Sequence, residues 1–318
     1  MNFLKVLVTG GAGFIGSHFV DKLASMKIQT VVVDSLYTGR LQNLHAHSSD
    51  DGVRFYKGDI RDTVLISKLV RDVDAVVHLA AITSVPFSVQ HPVLTNDVNV
   101  NGTLNLLRAC IDANVQRFVF TSSCAVYGEP HYLPIDEEHP THPESPYAAS
   151  KLAAEAYCQA FTKSYNTNIT VLRLFNVYGS RQQNSSYAGV ITKFTNNLSQ
   201  GKPLTIYGDG TQTRDFIYVK DVAEAIWLAL ETQNASGDTF NIGSGVATTI
   251  NQLINTLAKT LYVKPQITYK SPRPGDLKES YANITKVKKL LKHKPKITLK
   301  QGLKKLTLEL KNNTYENR

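Results

Sequence analysis

Tyr147 and Lys151 stand four residues apart in Ser145-Pro146-Tyr147-Ala148-Ala149-Ser150-Lys151. At the start of a helix that spacing puts both on one face, one turn apart. A phenol with an ordinary pKa near ~10 is a poor base at neutral pH. A neighbouring ammonium favours the phenolate, and so does the positive charge of an oxidised nicotinamide; both would move Tyr147 toward the pH at which acid–base catalysis works best. Taken alone, Tyr-x-x-x-Lys is common and usually marks an ordinary surface pair. Thr121-Ser122-Ser123 changes its weight, because this stretch closes an apolar strand and Ser123 can hydrogen-bond a reacting hydroxyl or carbonyl.

A second constellation lies near the N-terminus. Thr9-Gly10-Gly11-Ala12-Gly13-Phe14-Ile15-Gly16 joins an apolar strand to a helix. In that setting Gly10 takes the tight turn, Gly13 admits a pyrophosphate close to the backbone, and Gly16 lets the helix lie against the sheet. Phe14 and Ile15 open the helix, whose N–H groups and dipole attract phosphate. Asp34 ends the next strand, 18 residues after Gly16. A carboxylate there accepts from both ribose hydroxyls and repels a 2′-phosphate, which favours NAD over NADP. Asp59-Ile60 after the third strand would flank the adenine, and Leu79-Ala80-Ala81 after the fourth would lie along the cofactor.

These residues need a scaffold with one common edge. Apolar strands are expected at 4–9, 30–33, 53–56, 75–79, 117–121 and 169–174. Helices are expected at 14–26, 62–70, 94–113 and from about 146 to 165. Repeated βα units with nearly all-apolar strands specify an α/β protein with a doubly wound parallel sheet of Rossmann type, covered on both faces. Ligands of such sheets sit at the carboxyl edge, where all the motifs fall. After about residue 180 the rhythm loosens. Short strands (204–206, 214–219, 239–242, 266–269) mix with helices (188–200, 221–231, 249–261) between Gly and Pro clusters. The expectation is a cofactor-binding domain over 1–180 and a smaller α/β substrate-binding lobe over 181–318, with chain crossings between them.

Composition bounds the rest. The 318 residues, 42% hydrophobic and 19% charged, can bury a substantial core and are too apolar to be disordered. No apolar run reaches the ~20 residues of a membrane helix, and the N-terminus lacks a signal-peptide pattern. Cys110, Cys124 and Cys158 form no metal-site spacing and read as reduced thiols of a cytoplasmic enzyme; no metal site is expected. The net charge of +9 is localised. Residues 264–318 carry 15 Lys+Arg against 4 Asp+Glu, whereas residues 1–263 carry 20 against 22. Such a patch is the footprint of a nucleic-acid or membrane tail, but Ile284, Val287, Leu290, Leu291 and then Leu303, Leu306, Leu308, Leu310 recur at helical spacing. That favours amphipathic helices with a solvated Lys-rich face, and neither nucleic acid nor membrane as a partner.

The full set of motifs resembles the extended short-chain dehydrogenase/reductase family, in particular its nucleotide-sugar epimerases and dehydratases. The matching pieces are TGGAGFIGSH (9–18), Asp34, GDIRD (58–62), HLAA (78–81), NVNGT (99–103), TSSCAVYG (121–128), SPYAASK (145–151), RLFNVYG (173–179), RDFIYVKDV (214–222) and PRPGD (272–276), in family order over roughly residues 3–295. The resemblance implies a catalytic set of Ser123, Tyr147 and Lys151, and Asn99 supporting the pocket of a bound NAD. It implies a nucleoside-diphosphate sugar as substrate, the diphosphate held by Asn176, Arg214 and Arg273, with Asp276 on the ribose or orienting Arg273. Arg214 also stands beside Asp215 and near Asp221, so an ion pair is the competing role. Val190 is placed on the substrate side in the same way. A homodimer through helices near 94–113 and 147–165 is implied too.

Within the family, dehydratases resemble one another in an Asp-Glu pair after the active-site residue. Here Cys124-Ala125 follow Ser123, and neither can move protons for loss of water. The decarboxylases' Glu near this point is absent as well. The resemblance therefore implies a 4-epimerase: UDP-glucose/UDP-galactose, with UDP-GlcNAc/UDP-GalNAc also accepted. The latter follows from small Ser280, four residues after Asp276, where glucose-restricted relatives carry a bulky residue, and from Ser84-Val85-Pro86, which resembles the sugar-facing loop of N-acetyl-tolerant members. A UDP-glucuronate 4-epimerase, a 4-keto-sugar reductase and a non-catalytic NAD-binding module are the alternatives.

Overall fold

The computed structural model describes residues 5–47, 52–183, 189–272 and 276–316. Its N-terminal part alternates β1 (Lys5–Thr9), α1 (Phe14–Ser25), β2 (Gln29–Asp34), β3 (Val53–Lys57), α2 (Thr63–Val70) and β4 (Ala75–His78). Then come three helices, α3 (Val85–Gln90), α4 (Pro92–Asn96) and α5 (Gly102–Asp112), followed by β5 (Arg117–Ser123), α6 (Pro146–Tyr165) and β6 (Ile169–Leu174). The remainder holds β7 (Asn176–Tyr178), α7 (Val190–Ser199), β8 (Leu204–Tyr207), β9 (Thr213–Tyr218), α8 (Val219–Glu231), β10 (Thr239–Ile242), β11 (Ala247–Thr249), α9 (Ile250–Leu261), β12 (Ile267–Lys270), α10 (Thr285–Leu290) and α11 (Leu299–Glu316).

Seven strands form one sheet in the order β10-β6-β5-β4-β1-β2-β3, and every pairing is parallel. The order reverses between β1 and β4, which opens a crevice at their carboxyl ends. Val6, Val8, Val32 and Val77 bury one face against α1 and α8; Leu7, Val31, Val33 and Val76 bury the other against α2, α5 and α6. The alternating residues of each strand thus serve two cores, the reason these strands read as continuous apolar runs. The doubly wound α/β sheet expected from the sequence is present.

Two departures have local causes. The helix expected over 94–113 is interrupted: α4 ends at Asn96, a wider π turn follows over Asp97–Asn101, and α5 begins at Gly102. At that turn Asn99 directs its amide to Ile82 and Ser150 instead of solvent. An additional helix, α3, precedes it, capped by Ser84 with Pro86 in its first turn. Beyond residue 180 the chain crosses back: β10 pairs with β6 at the edge of the large sheet, and α8 packs on α1, so two elements return to complete the first body. The smaller core holds α7, α9 and α11 around Ile206, Phe216 and Tyr218, with a three-stranded sheet β11-β9-β7 and the pair β12-β8.

In the basic C-terminal stretch Ile284, Val287, Leu291, Leu303 and Leu306 are buried, while Leu290 and Leu308 are exposed. Lys288, Lys289, Lys300, Lys304 and Lys305 on α10 and α11 face solvent, as amphipathic helices require, and so do Lys292, Lys294 and Lys296 between the two helices. Leu310 falls where side chains lie outside the described set. Among the described residues no helix is long and apolar enough to cross a membrane, and no cluster of His, Cys, Asp and Glu could hold a metal ion.

Candidate active site

A cleft of about 840 Å³ opens at the carboxyl edge of the sheet. Gly10, Gly13, Phe14, Ile15, Gly16, Asp34, Asp59, Ile60, Leu79, Ala80 and Ala81 line one half; Val85, Ser123, Tyr147, Lys151 and Asn176 line the other. Sequence positions spread over 160 residues therefore meet in one space.

The glycine loop is required by close approach. Gly10 has φ +70°, and a Cβ there would meet the Ala80 backbone nitrogen at 2.7 Å. A Cβ on Gly16 would run into the Gly10 carbonyl oxygen, so α1 could not sit this close to the loop. α1 starts at Gly13 without a capping side chain, and its first N–H groups are left for an anion in the cleft. Asp34 accepts from the backbone N–H groups of Ala12 (3.1 Å) and Leu36 (2.8 Å), and burial raises its pKa. Asp59 is forked by Arg61 (Nε–Oδ1 3.0 Å, Nη2–Oδ2 2.7 Å), which lowers its pKa, and Arg61 also reaches Asp97 at 2.6 Å. A carboxylate for a ribose, a bare helix end for a pyrophosphate and a glycine floor together fit a dinucleotide.

The floor has a buried brace that the sequence reading did not single out. Thr9 Oγ1 accepts from the N–H groups of Leu79 and Ala80, both at 3.2 Å, and meets His78 Nδ1 at 2.7 Å. His78 Nε2 meets Thr103 Oγ1 at 2.9 Å, and Thr103 donates to the Asn99 carbonyl at 2.6 Å. Each hydroxyl has one proton, so Thr103 accepts from His78 Nε2–H and Thr9 donates to Nδ1. Burial, then the Lys151 charge, push His78 down to about 3, which keeps the ring neutral. Asn99 is 2% exposed and holds Ile82 through both amide atoms (2.8 and 2.9 Å) while donating to Ser150 Oγ at 2.9 Å. It buttresses the wall and does not itself line the cleft.

Ser123 ends β5 in extended backbone. Ser145 caps α6 through the Ala148 N–H and Pro146 takes the first turn, which sets Tyr147 and Lys151 on the face toward the cleft. Tyr147 is anchored by its N–H to Ser88 Oγ at 3.0 Å. Burial pushes its phenol up to about 12, opposed by a hydrogen bond with Ser123. Burial brings Lys151 down to about 8, opposed by Glu155 one turn on, and its ammonium lies 4.4 Å from the centre of the Phe120 ring. The sequence reading expected Lys151 to draw the phenol down; here burial dominates, and Ser123 is the group that opposes it. Glu155 is itself fixed by Arg173 at 2.8–3.1 Å, both buried. Cys124 and Ala125 follow Ser123 on the cleft wall, and burial pushes the Cys124 thiol up to about 12, so it stays protonated.

The remaining residues assigned to substrate are less gathered. Asn176 lines the cleft and donates to the Asp215 carbonyl at 3.2 Å. Val85 lines it; Ser84 Oγ instead accepts from the Phe87 N–H as the cap of α3. Val190 opens α7 and packs on the smaller core. Arg214 does not reach the cleft: it pairs with Asp276 (2.7 Å) and donates to the carbonyls of Thr213 (2.8 Å) and Leu277 (2.7 Å). The ion pair that the sequence offered as its competing role is therefore made, though with Asp276 and not with Asp215 or Asp221. Ser280 is 3% exposed and donates its N–H to Thr213 O at 3.2 Å, off the cleft wall. Arg273 lies outside the described residues. Gln182, which the sequence reading passed over, also lines the cleft.

The profile of the NAD dependent epimerase/dehydratase family matches residues 6–243. A putative UDP-glucose 4-epimerase of Methanocaldococcus jannaschii is 41% identical over 310 residues, covering 97% of this chain and 99% of that one. The solved UDP-glucose 4-epimerase of Thermotoga maritima with UDP-glucose is 38% identical, with TM-score 0.92 over 98% of this chain and 99% of that one. A UDP-N-acetylglucosamine 4-epimerase of Methanobrevibacter ruminantium M1, in complex with UDP-N-acetylmuramic acid, is also 38% identical, with TM-score 0.94 over 98% of this chain and all of that one.

Proposed function

The chain belongs to the NAD-dependent epimerase/dehydratase family, and from that premise we propose that it is a nucleotide-sugar 4-epimerase, interconverting UDP-glucose with UDP-galactose and UDP-GlcNAc with UDP-GalNAc. The observation that carries this is the composition of one cleft. Ser123, Tyr147 and Lys151 share it with a dinucleotide floor, while Cys124 and Ala125 supply no acid or base for dehydration.

Bound NAD supplies the acceptor and donor for hydrogen at C4 and places a positive charge beside the phenol. Tyr147 Oη takes the proton of the C4 hydroxyl and gives it back. That positive charge would oppose the burial that holds this phenol near 12, and Lys151 stands on the same helix face within the cleft. Ser123 Oγ hydrogen-bonds the same oxygen and keeps it in reach. The 4-keto sugar must turn between proton removal and return, so the nucleotide has to be held elsewhere. Asn176 stands at the cleft for that role, and Arg214 and Arg273 serve the diphosphate once Arg214 exchanges its Asp276 contact for phosphate. No net redox change occurs, which calls for a cofactor that stays bound.

A homodimer belongs to this reading. Val89, Val93, Leu94 and Tyr157 leave apolar surface exposed on the α3, α4 and α6 side of the large sheet, the kind of surface a partner copy covers. We place the enzyme in the cytoplasm, with a UDP-sugar as its partner and no nucleic acid. Tyr147→Phe is the direct test: turnover on UDP-glucose should vanish while NAD still copurifies. Retained turnover would remove the phenol from the chemistry.

A further inference from the structure

The motif TGGAGFIGSH ends in His18, which does not line the cleft and has no role in the chemistry above. It is 5% exposed on α1, one turn behind the glycine floor, and its Nε2–H donates to the Ser180 carbonyl at 3.1 Å. One turn further on, Asp21 forms an ion pair with Arg181 Nη1 at 2.9 Å, without hydrogen-bond geometry, and meets His47 Nε2 at 2.8 Å. Gln183 Nε2 donates to the Thr38 carbonyl, in the loop after β2. Residues 180–183 leave β7, whose Asn176 and Val177 line the substrate half of the cleft, and are tied at these three points to α1 and to the Thr38 loop, which lines the adenosine half.

Between the ties stands Gln182, which faces the cleft. Thr192 Oγ1 donates to its Oε1 at 2.5 Å, so the smaller lobe fixes the amide's oxygen. Among the described residues the N–H groups of that amide meet no acceptor, so a phosphate or ribose oxygen in the cleft would match them. Arg181 holds φ +64°, a left-handed conformation that is unfavourable for a non-glycine residue. A strained residue fastened to a carboxylate on another element is characteristic of a segment whose path is imposed by its anchors.

We propose that His18, Asp21 and Arg181 are positioning residues of an inter-lobe clasp, which holds the 180–183 strap and Gln182 against the bound dinucleotide and slows its escape. The proposal rests on the epimerase reading for its purpose, because an enzyme that regenerates its cofactor in every cycle gains from not releasing it. It rests on the geometry for its residues.

The test is the rate at which NAD leaves the loaded enzyme in a chase with excess etheno-NAD, with no sugar present. Arg181→Gln and Asp21→Asn should each speed release about fivefold, the size of one ion-pair contribution of ~1 kcal/mol. The double variant should release no faster than Asp21→Asn alone, because that change already removes the Arg181 contact. Lys22→Gln is the control for general loosening. Lys22 pairs with Glu224 at 2.7 Å and ties the same helix to α8 without touching the strap, so its release rate should match the parent's. Unchanged release in both clasp variants overturns the proposal, and so does equal acceleration by Lys22→Gln. Failure of the epimerase reading would show separately, as absent turnover of UDP-hexoses by an enzyme that still binds NAD.

Discussion

Replacing Lys151 by Met should stabilise this protein while abolishing its activity. The side chain is 4% exposed, and burial brings its pKa from an ordinary 10.5 to about 8. A displacement of that size is worth about 3 kcal/mol against the charged native form. Below pH 8 native and unfolded chains both carry the proton, and the penalty is fully present. Between pH 8 and 10.5 the native lysine is neutral while the unfolded one is still charged, so the unfolded state binds more protons and stability rises with pH. Met fills similar space without the charge, but forfeits the contact of the ammonium with the Phe120 ring and its attraction to Glu155. The cation–π part is worth about 0.5–2 kcal/mol. The net expectation is a gain of about 1–2 kcal/mol at pH 7 that vanishes as the pH rises above 8 and reverses by pH 10, where the parent has recovered about 2.5 kcal/mol. Urea unfolding of cofactor-free parent and variant at both pH values measures it, and turnover of UDP-glucose by the variant should fall by at least about 100-fold. A variant that is less stable at pH 7, or a difference that stays flat with pH, would refute the argument that Lys151 is held charged against its surroundings for function.

Two further outcomes test the surroundings of the site. Glu155→Gln keeps the shape but strands the Arg173 guanidinium in a buried position, and should cost about 3–5 kcal/mol in urea unfolding; a loss below about 1 kcal/mol would mean that Arg173 finds another partner. Ser280→Tyr overpacks a buried position and should cost about 1–3 kcal/mol. Its deciding readout is the ratio of UDP-GlcNAc to UDP-glucose turnover, which should collapse; equal loss on both removes Ser280 from control of the N-acetyl group.

The parts of the site that were legible in the sequence are those whose function depends on local spacing. The glycine loop, Asp34 and the Tyr147–Lys151 pair each work within one strand–loop–helix unit or one helical turn, and all stand on the cleft. What escaped depends on contacts between distant positions. Thr9 and His78 are 69 residues apart, and nothing in either neighbourhood announces that they share a proton. Residues 94–113 carry a helical pattern, yet Asn99 inside it bonds to the loop after β4, and the turn widens there. The four buried residues of β10, Thr239–Ile242, fit either body, because a short buried strand does not encode which sheet it joins. Arg214 reads as a phosphate ligand by type, but its pairing with Asp276 is a matter of tertiary placement.

In the proposed reaction one enzyme-held NAD serves a closed cycle at C4. The decisive measurement is to incubate the purified protein with UDP-glucose and with UDP-GlcNAc, no cofactor added, and to separate the products. UDP-galactose and UDP-GalNAc should form with no accumulation of reduced cofactor. Turnover only when reduced cofactor is supplied in stoichiometric amount, or turnover confined to UDP-glucuronate, would contradict it.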